Sequence, residues 1–230
     1  MKIMIIGATG MAGSAITKLA LERNHTVVAI GRSEEKLAAL PANPNLQTKA
    51  KDAFDLTLSE LQAVDVVIDA MATSPDKAYR HVDLATKLIA QLREQQRPRL
   101  LFILGAGSLT TGDDQHLFVH DIESNPANAA FVAIPQNQLA ELTFLRTVTN
   151  VDWVGISPAA NFTAGPATPA QYGHDTLLTN TTGESVTNSG TMAVAVLNEL
   201  ETPKHHQERF TVANQFVALH RQLTPSPTFN

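Results

Sequence analysis

Three glycines near the start of the chain have the spacing of a phosphate-binding turn. They occur in Gly7-Ala8-Thr9-Gly10-Met11-Ala12-Gly13, directly after the apolar run Lys2 to Ile6 and directly before a segment of helical period. Glycine permits a tight turn and lets backbone N–H groups approach a pyrophosphate, and the N-terminus of the next helix adds positive dipole. A tight turn without a ligand is the alternative, but the strand–turn–helix context favours a dinucleotide site. Its predicted residues are Gly7, Thr9, Gly10, Met11, Ala12 and Gly13.

Arg32 lies where a side chain would contact the adenosine ribose of a bound dinucleotide. It lies in Gly31-Arg32-Ser33, about 20 residues past the glycine turn, where a site for NAD places an acidic residue on the ribose 2′-hydroxyl. A guanidinium forks onto a 2′-phosphate and cannot accept from a hydroxyl, so NADP is favoured over NAD, and Lys36 would add charge. Two alternatives stay open. One is an ordinary surface arginine, and the other is an arginine that stacks on adenine without reading a phosphate, which would admit NADH.

The rest of the expected cofactor site follows the third, fourth and fifth apolar runs. Asp52 is placed to accept from the adenine amino group, with the backbone of Ala53 beside it, although its spacing fits a helix-capping aspartate equally well. Ser108 is the candidate catalytic residue, because its hydroxyl could donate a hydrogen bond to the substrate. The residues expected to leave room for ribose and nicotinamide are Met71, Ala72, Gly105, Ala106 and Gly107.

Other catalytic sets are missing from the sequence. A short-chain dehydrogenase pairs a Tyr with a Lys four residues later, but Tyr79 is followed at that distance by Asp83, and Tyr172 by Thr176. With Cys 0 there is no thiolate chemistry, and none of the 8 histidines has a spacing that predicts a metal site.

Predicted strands and helices, which could position these residues, alternate along the chain. Apolar runs of strand length are separated by segments of helical period, which is the pattern of βαβ units around a parallel sheet. We therefore expect an α/β fold, with a doubly wound, mostly parallel Rossmann sheet covered by helices on both faces. The predicted strands are Lys2 to Ile6, Thr26 to Ile30, Leu46 to Lys49, Asp65 to Asp69, Arg99 to Leu104 and Asp152 to Ile156. The predicted crossover helices are Met11 to Arg23, Ser33 to Leu40, Leu58 to Ala63, Pro75 to Glu94 and Pro135 to Thr149.

The remainder of the chain is expected to belong to the same domain. The segments Gly105 to Ile134 and Ser157 to Gly183 look irregular, followed by a helix over Ser189 to Glu201 and a strand over Arg209 to Val212. Residues 157–230 are too short and too poor in apolar residues for a core of their own. We interpret 1–230 as one NAD(P)-binding Rossmann domain, with 157–230 as its substrate-side extension.

Composition narrows the classes of partner. The 230 residues carry 17 Lys and Arg against 22 Asp and Glu, a net charge of −5, without a basic block, so nucleic acid is not expected as a partner. There is no signal-peptide pattern and no apolar run long enough to span a membrane. The sequence predicts a soluble, cytoplasmic protein.

The chain resembles the atypical short-chain dehydrogenase/reductases of the NmrA-like group, and within it the NADH-flavin reductases akin to biliverdin/flavin reductase. That resemblance implies a cofactor along the glycine turn, with the segment Pro158 to Phe162, including Pro158, Ala159 and Ala160, passing the nicotinamide carboxamide. The sequence departs from the pattern at Asn188 to Ala193, where relatives show an acidic residue and an aromatic before the alanine. The motifs that carry the resemblance are the glycine turn, Gly31-Arg32-Ser33, Gly105-Ala106-Gly107-Ser108-Leu109, Asp152-Trp153 with Ser157 to Phe162, and Pro203 to His206 with Arg209 to Val212.

Two functions fit these residues. The first is an NAD(P)H-dependent reductase that passes hydride to a flavin, as substrate, or to a similar conjugated small-molecule acceptor. A flavin spreads charge over its own ring system, so such a reaction needs no placed Tyr–Lys acid. The second is a redox sensor that binds NADP without turnover and acts on a partner protein. Sugar epimerases and dehydratases are disfavoured because they depend on the missing tyrosine.

Overall fold

A computed structural model describes residues 1–215 of the chain, in which strands and helices alternate. The strands are β1 Lys2–Ile6, β2 Thr26–Gly31, β3 Leu46–Ala50, β4 Val66–Asp69, β5 Arg99–Ile103, β6 Thr110–Thr111, β7 His116–Leu117, β8 Trp153–Ser157, β9 Asn161–Thr163, β10 Ala170–Gly173, β11 Val186–Asn188 and β12 Glu208–Asn214. The α-helices are α1 Met11–Glu22, α2 Glu34–Ala38, α3 Leu58–Gln62, α4 Arg80–Leu92, α5 Phe118–Ser124, α6 Ala133–Leu145 and α7 Ser189–Glu201.

Eight of the strands form the central sheet, in the order β10-β12-β8-β5-β4-β1-β2-β3. Neighbours are parallel throughout except at the edge, where β10 runs antiparallel to β12. On β1, Ile3 lies opposite Val27 of β2 on one side and Val66 of β4 on the other. This confirms the expected fold class, a doubly wound, mostly parallel α/β sheet.

The core lies on both faces of the sheet. Alternate residues of β1 point to opposite faces, so that Ile3 packs with α1 and α7, whereas Met4 packs with α4 and α6. Both residues are almost completely buried. A strand covered on both faces needs apolar residues at successive positions, which explains the unbroken apolar run Ile3 to Ile6 in β1.

The structure differs from the expectations mainly in the second half of the chain. The segment expected to be irregular after Gly105 contains the hairpin β6–β7 and the helix α5. Within 157–215, α7 packs on α1 and β12 joins the central sheet, so these two elements belong to the core, while β9, β10 and β11 lie outside it or at its edge. That 157–230 forms the substrate side of the domain stays a prediction, and residues 216–230 lie outside the described residues.

Candidate functional site

The glycine turn has a geometry that only glycine permits at two of its positions. Gly7 has φ +73°, and a Cβ atom there would lie 2.5 Å from the carbonyl oxygen of Ala70. A Cβ on Gly13 would lie 2.2 Å from the carbonyl oxygen of Gly7, so glycine is what allows α1 to approach β1 so closely. At Gly10 a Cβ would meet only the Gly7 carbonyl oxygen, in a tight contact at 3.2 Å, so this position is less crowded than the other two. The result is a backbone cradle that fits a pyrophosphate.

A cavity of about 370 Å³ opens in front of this turn, at the carboxyl ends of β1 to β4. It brings together eight of the predicted cofactor residues, namely Gly7, Thr9, Gly10, Arg32, Asp52, Ala53, Met71 and Ala72. The other predicted residues are not part of its wall. Of these, Met11 begins α1 with 40% of its surface exposed, while Ala12 and Gly13 are buried between helix and sheet.

The cavity wall is strongly cationic. Its charged residues are Arg32, Lys36, Lys51, Asp52, Lys77 and Arg80. Two of the cations are already neutralised, because Lys51 Nζ lies 2.7 Å from Glu60 and Arg80 Nη2 lies 2.9 Å from Asp52. Within residues 1–215, Arg32, Lys36 and Lys77 form no ion pair. Three free positive charges therefore face one small cavity, which suits a ligand with several negative charges.

Asp52 is fully engaged in the structure. One carboxylate oxygen accepts from the backbone N–H of Phe54 at 3.0 Å, and both oxygens accept from Arg80, whose guanidinium also lies 4.3 Å above the Phe54 ring. Burial alone would raise the pKa of Asp52, but these hydrogen bonds and the charges of Arg80 and Arg32 outweigh burial and lower its pKa. The geometry is that of the capping alternative, and the acceptance of an adenine amino group by Asp52 stays a prediction.

Ser108 does not face the cavity. It is 4% exposed, in the turn after β5, and its hydroxyl accepts from Arg209 Nη1 at 3.0 Å while donating to the Gly105 carbonyl. Arg209 also donates to Ser157 Oγ and is paired with Asp175. This arrangement gives Ser108 a structural role in holding the turn after β5 against β8 and β12, and offers no support for its expected role as a substrate donor.

The other residues expected at the nicotinamide end serve the packing of their segments. A Cβ on Gly105 would lie 2.1 Å from Gln138 Oε1, and one on Gly107 would lie 2.9 Å from Pro135, so both glycines allow α6 to approach the turn. Ala106 lies between them in the same short turn. These residues, at the carboxyl end of β5, are where ribose and nicotinamide were expected.

The segment after β8 is also held by internal hydrogen bonds. Pro158 and Ala159 are buried, and the N–H groups of Ala159 and Ala160 donate to Thr187 Oγ1 at 2.8 Å and Ser185 Oγ at 3.0 Å. Contact with a nicotinamide carboxamide would therefore have to use other atoms of this segment.

Three buried ionisable side chains are grouped near the carboxyl end of β4. Asp69 ends β4, is 6% exposed, and accepts from the backbone N–H of Met71 at 2.9 Å. On the helices that cover this face, Glu141 of α6 is 2% exposed and its Oε2 lies 3.9 Å from Nδ1 of His81 on α4. Burial raises the pKa of Asp69 to about 6 and lowers the pKa of His81 to about 4, while burial and then the charge of Asp69 raise the pKa of Glu141. At neutral pH we expect His81 to be uncharged, since its pKa lies near 4.

Neither tyrosine completes a catalytic pair. Tyr79 is 55% exposed just before α4, and Tyr172 is 52% exposed on the edge strand β10, away from the cavity. The described residues contain no group of three or more His, Asp or Glu side chains arranged to hold a metal, and none of their helices is long and apolar enough to cross a membrane.

Sequence reasoning missed Thr73, Lys51, Lys77 and Arg80, which all line the cavity. They follow the third and fourth strands, as did the predicted Asp52 and Met71, so their position after a strand was the available signal. That signal was too weak to select them, because spacing does not show which of the 17 Lys and Arg residues turn toward the sheet edge.

The parallel sheet, the glycine cradle at the end of its first strand and the cationic cavity together define a dinucleotide-binding α/β protein. The chain belongs to the NAD(P)H-binding family, whose sequence profile matches residues 7–203. It is 36% identical to the uncharacterized protein YwnB of Bacillus subtilis over 217 residues, which are 94% of this chain and 99% of YwnB.

Solved structures agree with this assignment. A Lactobacillus casei protein superposes with a TM-score of 0.87 at 37% identity, covering 94% of this chain and 100% of the other. A Streptococcus pneumoniae TIGR4 protein, for which an NADH-flavin reductase activity has been suggested, superposes with a TM-score of 0.82 at 30% identity over 94% and 100% of the two chains. These neighbours are consistent with the resemblance to atypical short-chain dehydrogenase/reductases.

Proposed function

We propose that this chain is an NADPH-preferring reductase that passes hydride to a flavin, or to a similar conjugated small molecule, which it binds as substrate. The observation that carries the proposal is the cavity in which the glycine cradle and the unpaired Arg32 and Lys36 occur together. The cradle suits a pyrophosphate, and two free cations beside it suit the further phosphate that distinguishes NADPH from NADH.

The residues of the chain would act mainly by binding and orienting. When bound, the reduced nicotinamide would supply the hydride. The backbone of Gly7 to Gly10 would hold the phosphates, Arg32 the adenosine end, and Met71 and Ala72 the ribose toward the middle of the sheet edge. The cavity wall contains no tyrosine, histidine or cysteine, and its Asp52 and Lys51 are held in ion pairs, so it offers no Tyr–Lys acid of the short-chain dehydrogenase kind. An acceptor that needs none, such as a flavin, suits this wall better than a carbonyl compound.

The decisive experiment is turnover of NADPH by the full chain with FMN or riboflavin as acceptor, followed as loss of NADPH absorbance. The matched control is Gly10→Val, since a side chain there would occupy the space beside the helix N-terminus without touching the core. Oxidation by the wild type but not by the control supports the proposal. Tight NADPH binding without oxidation by any flavin or quinone would instead identify a sensor that acts on a partner protein.

The same preparation tests the cofactor preference. A ratio of the dissociation constants of NADH and NADPH well above one is expected, and a ratio of one or less would contradict the NADPH preference while leaving the reductase proposal intact. In keeping with the composition, we do not expect binding to nucleic acid or membranes, and we expect the protein in the cytoplasm.

A further inference from the structure

The connection between β4 and α4 has two features that the glycine cradle does not explain. Thr73 lines the cavity, and its hydroxyl Oγ1 is buried and has no hydrogen-bond partner among residues 1–215. Four residues later, Lys77 also lines the cavity and forms no ion pair within the same residues. A buried hydroxyl without a partner is costly and calls for a ligand, a water molecule or a specific reason.

The position of these two groups in the sheet indicates which part of a ligand they face. β4 lies on one side of β1 and β2 on the other, so Thr73 and Lys77 come from the side of the cavity opposite to Arg32 and Lys36. The glycine cradle follows β1 and lies between the two sides. In a doubly wound sheet the dinucleotide crosses the carboxyl edge with its pyrophosphate over the first strand. A cation on the β4 side is thus placed beside the pyrophosphate, and the 2′-phosphate falls to the β2 side.

The neighbouring cations are already paired with carboxylates. Arg80 is held by both carboxylate oxygens of Asp52, and Lys51 is held by Glu60. On the β4 side of the cavity, Lys77 is the cation that the described residues leave free, and its flexible side chain carries three donors.

From this arrangement we propose that Thr73 and Lys77 form a second phosphate-binding segment, which grips the cofactor pyrophosphate from the side opposite the glycine cradle. The inference rests on the proposed dinucleotide binding and assigns it two further residues. Thr73 Oγ1 donates a hydrogen bond to a phosphate oxygen, and Lys77 Nζ contributes a charge-assisted contact. Both would stabilise NADPH and NADH equally, because the pyrophosphate is common to them.

The test is calorimetric binding of NADPH, NADH, ADP-ribose and adenosine 2′-phosphate to full-length variants. Lys77→Met and Thr73→Val are the test variants. Lys87→Met and Thr86→Val are their controls on α4, since neither lines the cavity. Lys77→Met should weaken NADPH, NADH and ADP-ribose about tenfold or more each, and Thr73→Val about two- to tenfold. Neither should alter the binding of adenosine 2′-phosphate, which lacks the pyrophosphate.

The outcomes separate the inference from the proposed function. If the wild type binds none of the dinucleotides, the proposed function fails. If the wild type binds NADPH but the two test variants match their controls, the second phosphate-binding segment is refuted and the proposed function stands. A loss by Lys77→Met confined to NADPH and adenosine 2′-phosphate would place Lys77 on the 2′-phosphate and would also overturn the inference.

Discussion

Replacing the buried Asp69 by Asn should stabilise the protein at neutral pH, although it removes a charge next to the cofactor cavity. Burial raises the folded-state pKa of Asp69 from 3.8 to about 6, so the folded state holds a proton that the unfolded state has already lost. The contribution of Asp69 to the free energy of unfolding is therefore fully present below pH 3.8, and it is lost as the pH rises through about 6. The difference of about two pKa units corresponds to about 3 kcal/mol at pH 7 and above. Asn avoids this cost, and its carbonyl oxygen can still accept from Met71 N–H, at 2.9 Å in the wild type.

The assay is urea unfolding of wild type and Asp69→Asn between pH 4 and pH 8, followed by the fluorescence of Trp153, which is buried and is the only tryptophan in the chain. The two curves should nearly coincide at pH 4, and the variant should be the more stable by up to about 3 kcal/mol at pH 8. The control is Asp83→Asn, since Asp83 is exposed on α4, and its free energy of unfolding should match that of the wild type at each pH. A variant that is equal to or weaker than the wild type at pH 8, with an unchanged denaturant slope, would show that Asp69 is stabilised as a carboxylate and that the reasoning is wrong.

Four further predictions address other parts of the site. His81 should have the opposite effect on stability, because burial lowers its folded-state pKa from 6.5 to about 4. The free energy of unfolding of the wild type should therefore fall as the pH falls through this range. In the same unfolding assay, His81→Leu should depend less on pH over this range. Arg32→Ala should weaken NADPH about 10- to 150-fold in calorimetry and NADH much less, and an equal loss for both would show that Arg32 does not read a 2′-phosphate. Gly10→Val should abolish dinucleotide binding with an unchanged circular dichroism spectrum, whereas Gly13→Val should destabilise the fold itself, since even its Cβ would lie 2.2 Å from the Gly7 carbonyl oxygen. Ser108→Ala should lower the free energy of unfolding by about 1 to 3 kcal/mol, because the buried Arg209 loses a hydrogen-bond acceptor. The same variant should lower the rate of NADPH oxidation about tenfold or less. A fall of 100-fold or more with intact cofactor affinity would instead support Ser108 as a catalytic residue.

The sequence was informative wherever local pattern decides structure. The strand from Lys2 to Ile6 and the helix from Ser189 to Glu201 were predicted with their observed bounds, because apolar runs and helical periodicity are local signals. The turn between β1 and α1 was predictable for the same reason, since a strand, three spaced glycines and a helix are adjacent in the chain. The helix α4 was predicted to begin at Pro75 but begins at Arg80, because the proline opens a separate short helical turn over Pro75–Lys77.

Side-chain partners distant in sequence could not be predicted in this way. Asp52 is 28 positions from Arg80, and Ser108 is 101 positions from Arg209, yet these contacts decide what each side chain is free to do. Spacing placed both acceptors at the correct edge of the sheet but gave no sign that each is already engaged by an arginine. The same limit applies to Lys77, whose relevance depends on its remaining unpaired in the folded chain.

The contacts of Arg209 bear on how the proposed reaction could proceed without a placed acid. This buried side chain joins three segments, since it donates to Ser108 after β5 and Ser157 of β8 and pairs with Asp175 after β10. Burial lowers the pKa of Arg209 and its contacts with Asp175 oppose that effect, so the guanidinium stays charged and its hydrogen bonds persist at neutral pH. These hydrogen bonds join the carboxyl ends of β5 and β8 to β12 within the chain itself. In the proposed reaction, this frame would help to hold the nicotinamide and acceptor rings at reacting distance, and solvent would supply the proton that a general acid supplies in other reductases.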